Sequence, residues 1–144
     1  MAKDRQPNSK YWKGKADTSW SKCVRLDGRC AICGKATGQL HAHHLIARQA
    51  IQYRHDLRNG ICLCPQCHQY SLKLSAHMAP WAFEDWMEAH RPEQYAWWQE
   101  HRREITYGLK PDYKAIHDDL ETVYAEGKAY QWTCRQLGVT DDAL

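Results

Sequence analysis

The chain has 144 residues, of which 43% are apolar, 26% charged and 11% aromatic, and its net charge is +3. This is the length and mixture of one globular domain; it excludes collagen-like, coiled-coil and fully disordered classes, and seven cysteines are too sparse for a disulfide scaffold. No run approaches the roughly 20 apolar residues that cross a bilayer, so no membrane partner is expected. The charge is uneven: residues 1–60 carry twelve Lys/Arg against four Asp/Glu, and residues 61–144 carry eight against thirteen. A basic half fits a polyanion such as nucleic acid, or else a solvated face that aids solubility.

Residues 1–18 are rich in Lys and Arg, contain Pro7 and Gly14, and read as a flexible basic arm. They hold no apolar stretch of the secretory kind, so a reducing cytoplasm is the expected location. Thr18 or Ser19 is placed to cap a short helix through Leu26, with Trp20 and Val24 inward. Cys30 to Gly34 forms a tight turn, and Gln39 to Ile46 suits a strand that ends in histidines. A polar connection bearing Arg48, Arg54 and Arg58 leads to a second strand over Gly60 to Leu63. Pro65 opens a helix expected to run from Gln66 to Ala76. Pro80, Pro92 and Pro111 then open three more helices. Phe83 and Met87 face inward on the first, Tyr95, Trp98 and Ile105 on the second. Tyr113, Ile116, Leu120, Val123, Tyr124 and Leu137 form one stripe on the third, interrupted at Gly127.

The strongest local pattern is Cys30-x-x-Cys33 followed by Cys64-x-x-Cys67. Two-residue spacing lets both thiolates of a pair enter one tetrahedral shell, and two pairs complete a closed, structural Zn2+ site. The 30 residues between the pairs exceed the about 15–20 of common zinc ribbons, so something is inserted there. Cys64 to His68 also matches the c-type haem attachment pattern, but that needs export and leaves Cys30 and Cys33 without a task. Cys23, Cys62 and Cys134 read as small buried hydrophobes.

The insert holds His41, His43 and His44, then Asn59; His68 directly follows the last thiol. The string Cys30-x-x-Cys33-Gly34, His43-His44-Leu45-Ile46, Asn59-Gly60-Ile61-Cys62-Leu63-Cys64-x-x-Cys67-His68 resembles the HNH endonuclease family, in its variant braced by a four-cysteine zinc. The likeness spans residues 20 to 77, with Trp20, Val24 and Arg25 resembling the usual lead-in. It implies an α+β fold: a small ββα-metal core over residues 19–79, stapled by zinc, with a helical extension over 80–144.

The same resemblance implies roles. His43 and His68 become ligands of a catalytic divalent ion, His44 the general base, and Asn59 the residue that holds loop and base in place. Relatives can add a third His four residues after the last; here that position is Leu72, which implies two protein ligands. The chemistry suits these residue types: a neutral imidazole accepts a proton near pH 7, and a cation stabilises the charge of a phosphoryl transition state. Mg2+, Mn2+, Ni2+ and Zn2+ all remain candidates for the ion. One conflict is internal to the pattern, because adjacent strand residues such as His43 and His44 point to opposite faces. His41 lies on the face of His43 and can approach the metal or stand idle.

The expected activity is metal-dependent hydrolysis of DNA, by nicking or double-strand cleavage, leaving 5′-phosphate and 3′-hydroxyl ends. The alternative is a zinc-stabilised module that grips nucleic acid without cutting. Arg48, Arg54, Arg58, Lys22 and Arg25 are the expected DNA contacts, and the helical half a dimer surface or a dock for a larger DNA-processing complex.

Overall fold

A computed structural model describes residues 5–104 and 106–139. It is α+β: α1 (Lys10–Val24), β1 (His41–His44), β2 (Gly60–Leu63), α2 (Pro80–His90), α3 (Pro92–His101), α4 (Tyr113–Glu126) and α5 (Ala129–Gln136). The two strands are antiparallel, pairing His41 with Leu63, Ala42 with Cys62, His43 with Ile61 and His44 with Gly60. No described helix is long and apolar enough to cross a membrane.

Alternation along this short hairpin decides the layout, because each face meets a different helical layer. Ile61 and Leu63 lie buried with Leu45, Ile46, Phe83, Met87, Trp97 and Trp98, which brings α2 and α3 onto one face. On the other face Trp20, Cys23 and Leu57 pack with Leu120, Val123 and Ala129, joining α1 to α4 and α5. The boundary expected at residue 79 therefore runs through a shared core, where Ala79 and Met87 are fully buried.

Three elements differ from the sequence reading. The helix expected from Thr18 begins at Lys10 instead, where Ser9 accepts a hydrogen bond from the Trp12 amide at 3.4 Å. The basic arm is thus shorter than residues 1–18, because Ala16, Ser19, Trp20 and Cys23 form a buried stripe that tertiary packing extends backward. The helix expected over Gln66 to Ala76 lasts a single wide turn, Gln66–Tyr70, closed by the Ser71 amide on the Gln66 carbonyl at 2.9 Å. Ser71 and Ser75 then cap the loop's own amides and end the helix. The last helix divides into α4 and α5 at Gly127, whose φ of 70° places it in the left-handed region open to glycine. Phe83, Met87, Trp98, Tyr113, Leu120 and Val123 are buried as expected, whereas Tyr124 faces solvent; Ile105 lies outside the described residues.

Gly60 sets the distance between α1 and the hairpin. A Cβ there would sit 2.5 Å from Val24 Cγ2 and 2.8 Å from Trp20 Cζ2, closer than packed atoms tolerate. Gly60→Ala is expected to cost about 1–3 kcal/mol by overpacking. Val24→Ala in the same chain should return part of that loss, read from denaturant unfolding of the single and double variants.

Candidate active site

Two clusters of metal-ligating side chains flank the hairpin. Cys30, Cys33, Cys64 and Cys67 have sulfurs all within 4.8 Å of one another. Cys33 Sγ and Cys64 Sγ are 3.7 Å apart. The edge of a tetrahedron with typical zinc–sulfur bonds is about 3.8 Å, against ~2.05 Å for a disulfide. All seven cysteines are free thiols. The knuckles are shaped by backbone: the Gly34 amide donates to the Cys30 carbonyl and the His68 amide to the Cys64 carbonyl, each at 2.9 Å. The Ala31 amide donates to the Cys62 carbonyl at 2.8 Å and ties the first knuckle to β2. Burial pushes the Cys30 thiol up, but amide donors overcome it and hold the thiol down at about 7, whereas burial and the neighbouring sulfurs push Cys33 and Cys67 up. The donor set and spacing fit a structural zinc ion.

The second cluster is His43, His68 and His77, again with ligating atoms within 4.8 Å of one another. His68 Nε2 and His77 Nε2 are 3.1 Å apart, a distance that fits a shared ion and equally a direct N–H···N hydrogen bond. Burial, then the neighbouring histidines, lowers His43 to about 3; burial, then His77 and His41, lowers His68 to about 4. Both rings are neutral at pH 7, with lone pairs available to a cation. Phe83 supports His43 edge-on at 5.6 Å between centroids.

His77 is the residue the sequence reading missed. It is nine positions after His68 rather than four. Its place is made by main-chain bonds: the Ala76 amide donates to the Cys67 carbonyl at 2.9 Å and the His77 amide to the His68 carbonyl at 3.0 Å. The intervening loop doubles back and sets the two histidines side by side. Leu72, the position at which the sequence lacks a third histidine, is 73% exposed. The count of two protein ligands is therefore corrected to three candidates.

His44 ends β1 on the opposite face from His43, as strand alternation requires. Its ring stacks on Trp20 at 3.8 Å and 11°. Nε2 lies 2.9 Å from the Arg54 carbonyl, which can only accept, so Nε2 carries the proton and Nδ1 the lone pair. Burial lowers its pKa, against the opposing effect of that carbonyl. Asn59 is fully buried and clamps the loop: Oδ1 accepts from the Ile46 amide at 2.6 Å, and Nδ2 donates to the Ile46 and Tyr53 carbonyls at 2.9 and 3.2 Å. The loop thus held carries Arg54 and its carbonyl.

The expected DNA contacts divide into two groups. Arg25 and Arg48 are exposed. Arg54 is committed to Asp17 through Nε and Nη2 at 2.8 and 2.7 Å, and Asp17 also accepts from His55 at 2.7 Å. Arg58 pairs with Asp56 at 2.6 Å and Lys22 with Glu121 at 2.9 Å. These three cations brace α1 and the loop that carries Arg54.

Residues 29–71 match the family model described as HNH endonuclease. No curated protein and no solved structure matches the chain. The matched segment contains the four cysteines, His43, His44, Asn59 and His68; Trp20, Asp17 and His77 lie outside it.

Elemental analysis should separate the two clusters. Cys64→Ser is expected to remove one tightly held zinc and unfold the hairpin half, since structural zinc coupled to folding contributes on the order of 10–16 kcal/mol. His77→Ala should keep that zinc and lose a second, weaker divalent ion.

Proposed function

We propose that the chain, whose residues 29–71 carry the HNH endonuclease pattern, hydrolyses DNA phosphodiester bonds with a divalent ion at His43, His68 and His77. The observation that carries this reading is the pairing of two different histidine environments at one strand end. Three imidazoles crowd on one face, and a single imidazole with a fixed tautomer stands on the other. A divalent ion bound at the three imidazoles would supply charge stabilisation at the phosphate and the departing 3′ oxygen.

The chain's own groups do the rest. His44 Nδ1 takes a proton from the attacking water, because Nε2 is already engaged by the Arg54 carbonyl. The imidazolium that forms keeps that hydrogen bond and rests on the Trp20 face, a cation–π contact favourable only once the charge appears. Asn59 keeps the loop in place, and the zinc site anchors the far end of the hairpin. The water oxygen bonds to phosphorus as the P–O3′ bond breaks, and the departing 3′ oxygen takes a proton from solvent, which leaves a 5′-phosphate and a 3′-hydroxyl. One base and one ion cut one strand, so a double-strand break requires two chains or two visits. Arg48 and Arg25, the latter leaning on Ser21, are exposed toward a phosphate backbone; Arg54, Arg58 and Lys22 would first have to leave carboxylates. Residues 19–79 form the catalytic unit in this reading, and helices α2 to α5 the layers that hold it.

Nicking of supercoiled plasmid tests the proposal. Wild-type chain plus divalent ion should cut, and EDTA should stop it. His44→Ala should lower the rate at least about 100-fold, the usual contribution of a general base, with DNA binding and metal content retained. Retained cleavage in this variant would contradict the assignment, and a wild-type chain that binds but never cuts would leave a nucleic-acid-binding module. The lowered pKa of His44 sets the sign of the pH dependence. The base is active when neutral, so the rate should be flat above its ordinary value of about 6.5 and fall only at lower pH.

A further inference from the structure

His41 is not among the three clustered ligands, yet it touches one of them. Its Nδ1 lies 2.8 Å from His68 Nδ1, with the rings at 77° and 5.0 Å between centroids. His68 therefore has two engaged nitrogens: Nε2 faces His77 and Nδ1 faces His41. A neutral imidazole has one N–H and one lone pair. If Nε2 gives its lone pair to an ion, Nδ1 must carry the proton and donate it. His41 Nδ1 must then be the acceptor, with its own proton on Nε2. The reverse arrangement, with His41 donating, would place the proton on His68 Nε2 and close that atom to a metal. Metal binding and the direction of this hydrogen bond are thus linked.

We infer that His41 is a positioning residue that orients His68 and selects the tautomer in which His68 Nε2 faces the ion. The inference rests on the metal-centre reading above and deepens it. Outer partners of this kind are commonly carboxylates or carbonyls. The ionisable neighbours that act on His43 and His68 are other histidines. An imidazole acceptor fixes the ring without adding negative charge, so an ion held here keeps its full positive charge toward a phosphate. Strand register supplies the geometry: His41 is two residues before His43, on the same face, opposite Leu63.

The test is a titration of the full-length, zinc-loaded chain with Co2+, followed through the visible ligand-field bands of the added ion. His41→Ala should weaken Co2+ binding roughly 10–100-fold, the range for loss of such a partner, and shift the bands. His41→Gln, which keeps an acceptor, should restore most of the affinity and the wild-type spectrum. The thiolate-bound zinc and the melting temperature should be unchanged, since His41 is only half-buried. Equal affinity and spectrum in wild type and His41→Ala would overturn the role of His41 while leaving the three-histidine site standing. A loss in His41→Ala that Gln fails to restore would overturn it as well. A wild-type chain that takes up no Co2+ beyond its zinc, or a His77→Ala variant with unaltered binding, would overturn the metal centre itself and this inference with it.

Discussion

Four sulfurs within 4.8 Å of one another are the constraint on which the rest depends. A hairpin of two four-residue strands buries too little to persist alone. Thiolates at that separation would repel unless a cation sat among them, and a zinc ion bound there would join the two ends of a 30-residue insert. The Ala31 amide on the Cys62 carbonyl carries that constraint directly into β2, and β2 carries it to His43 and His44 through the ladder.

Alternation in the hairpin then gives adjacent histidines two different environments. His43 turns to the face where His68 and His77 wait, and His44 to the face lined by Trp20. His43 and His44 keep the opposite faces that strand alternation gives them. Each face has its own helical layer, so each histidine is held by a different part of the chain: Phe83 of α2 supports His43, and Trp20 of α1 supports His44.

The acidic second half has a structural use. Glu121 of α4 receives Lys22 of α1, and Ser19 donates to the same carboxylate at 3.0 Å. Within the basic half, Asp17 gathers Arg54 and His55 behind the loop that carries the His44 partner. Half-exposed pairs such as Lys22–Glu121 contribute little each, about 0–1 kcal/mol, so their value is in orientation. Together with Arg58–Asp56 they hold three of the expected cations in ion pairs.

The amino-acid pattern alone determined the thiolate spacing, the His43–His44 pair, Asn59, His68 and the strand over Gly60 to Leu63, because these rest on local rules of ligand spacing, turns and alternation. Cys30 to Gly34 needs only its own backbone to form a knuckle, and proline placed the starts of α2 and α3. Tertiary structure decided what depends on distant backbone. His77 joins the cluster through a loop that returns to Cys67 and His68, an offset that no helical period encodes. Helix α1 starts at Lys10 because α4 covers its buried stripe, and Arg54 is a brace because Asp17 lies across from it. Each of these is set by which segments pack together, and packing partners far apart in the chain leave no periodic trace in it.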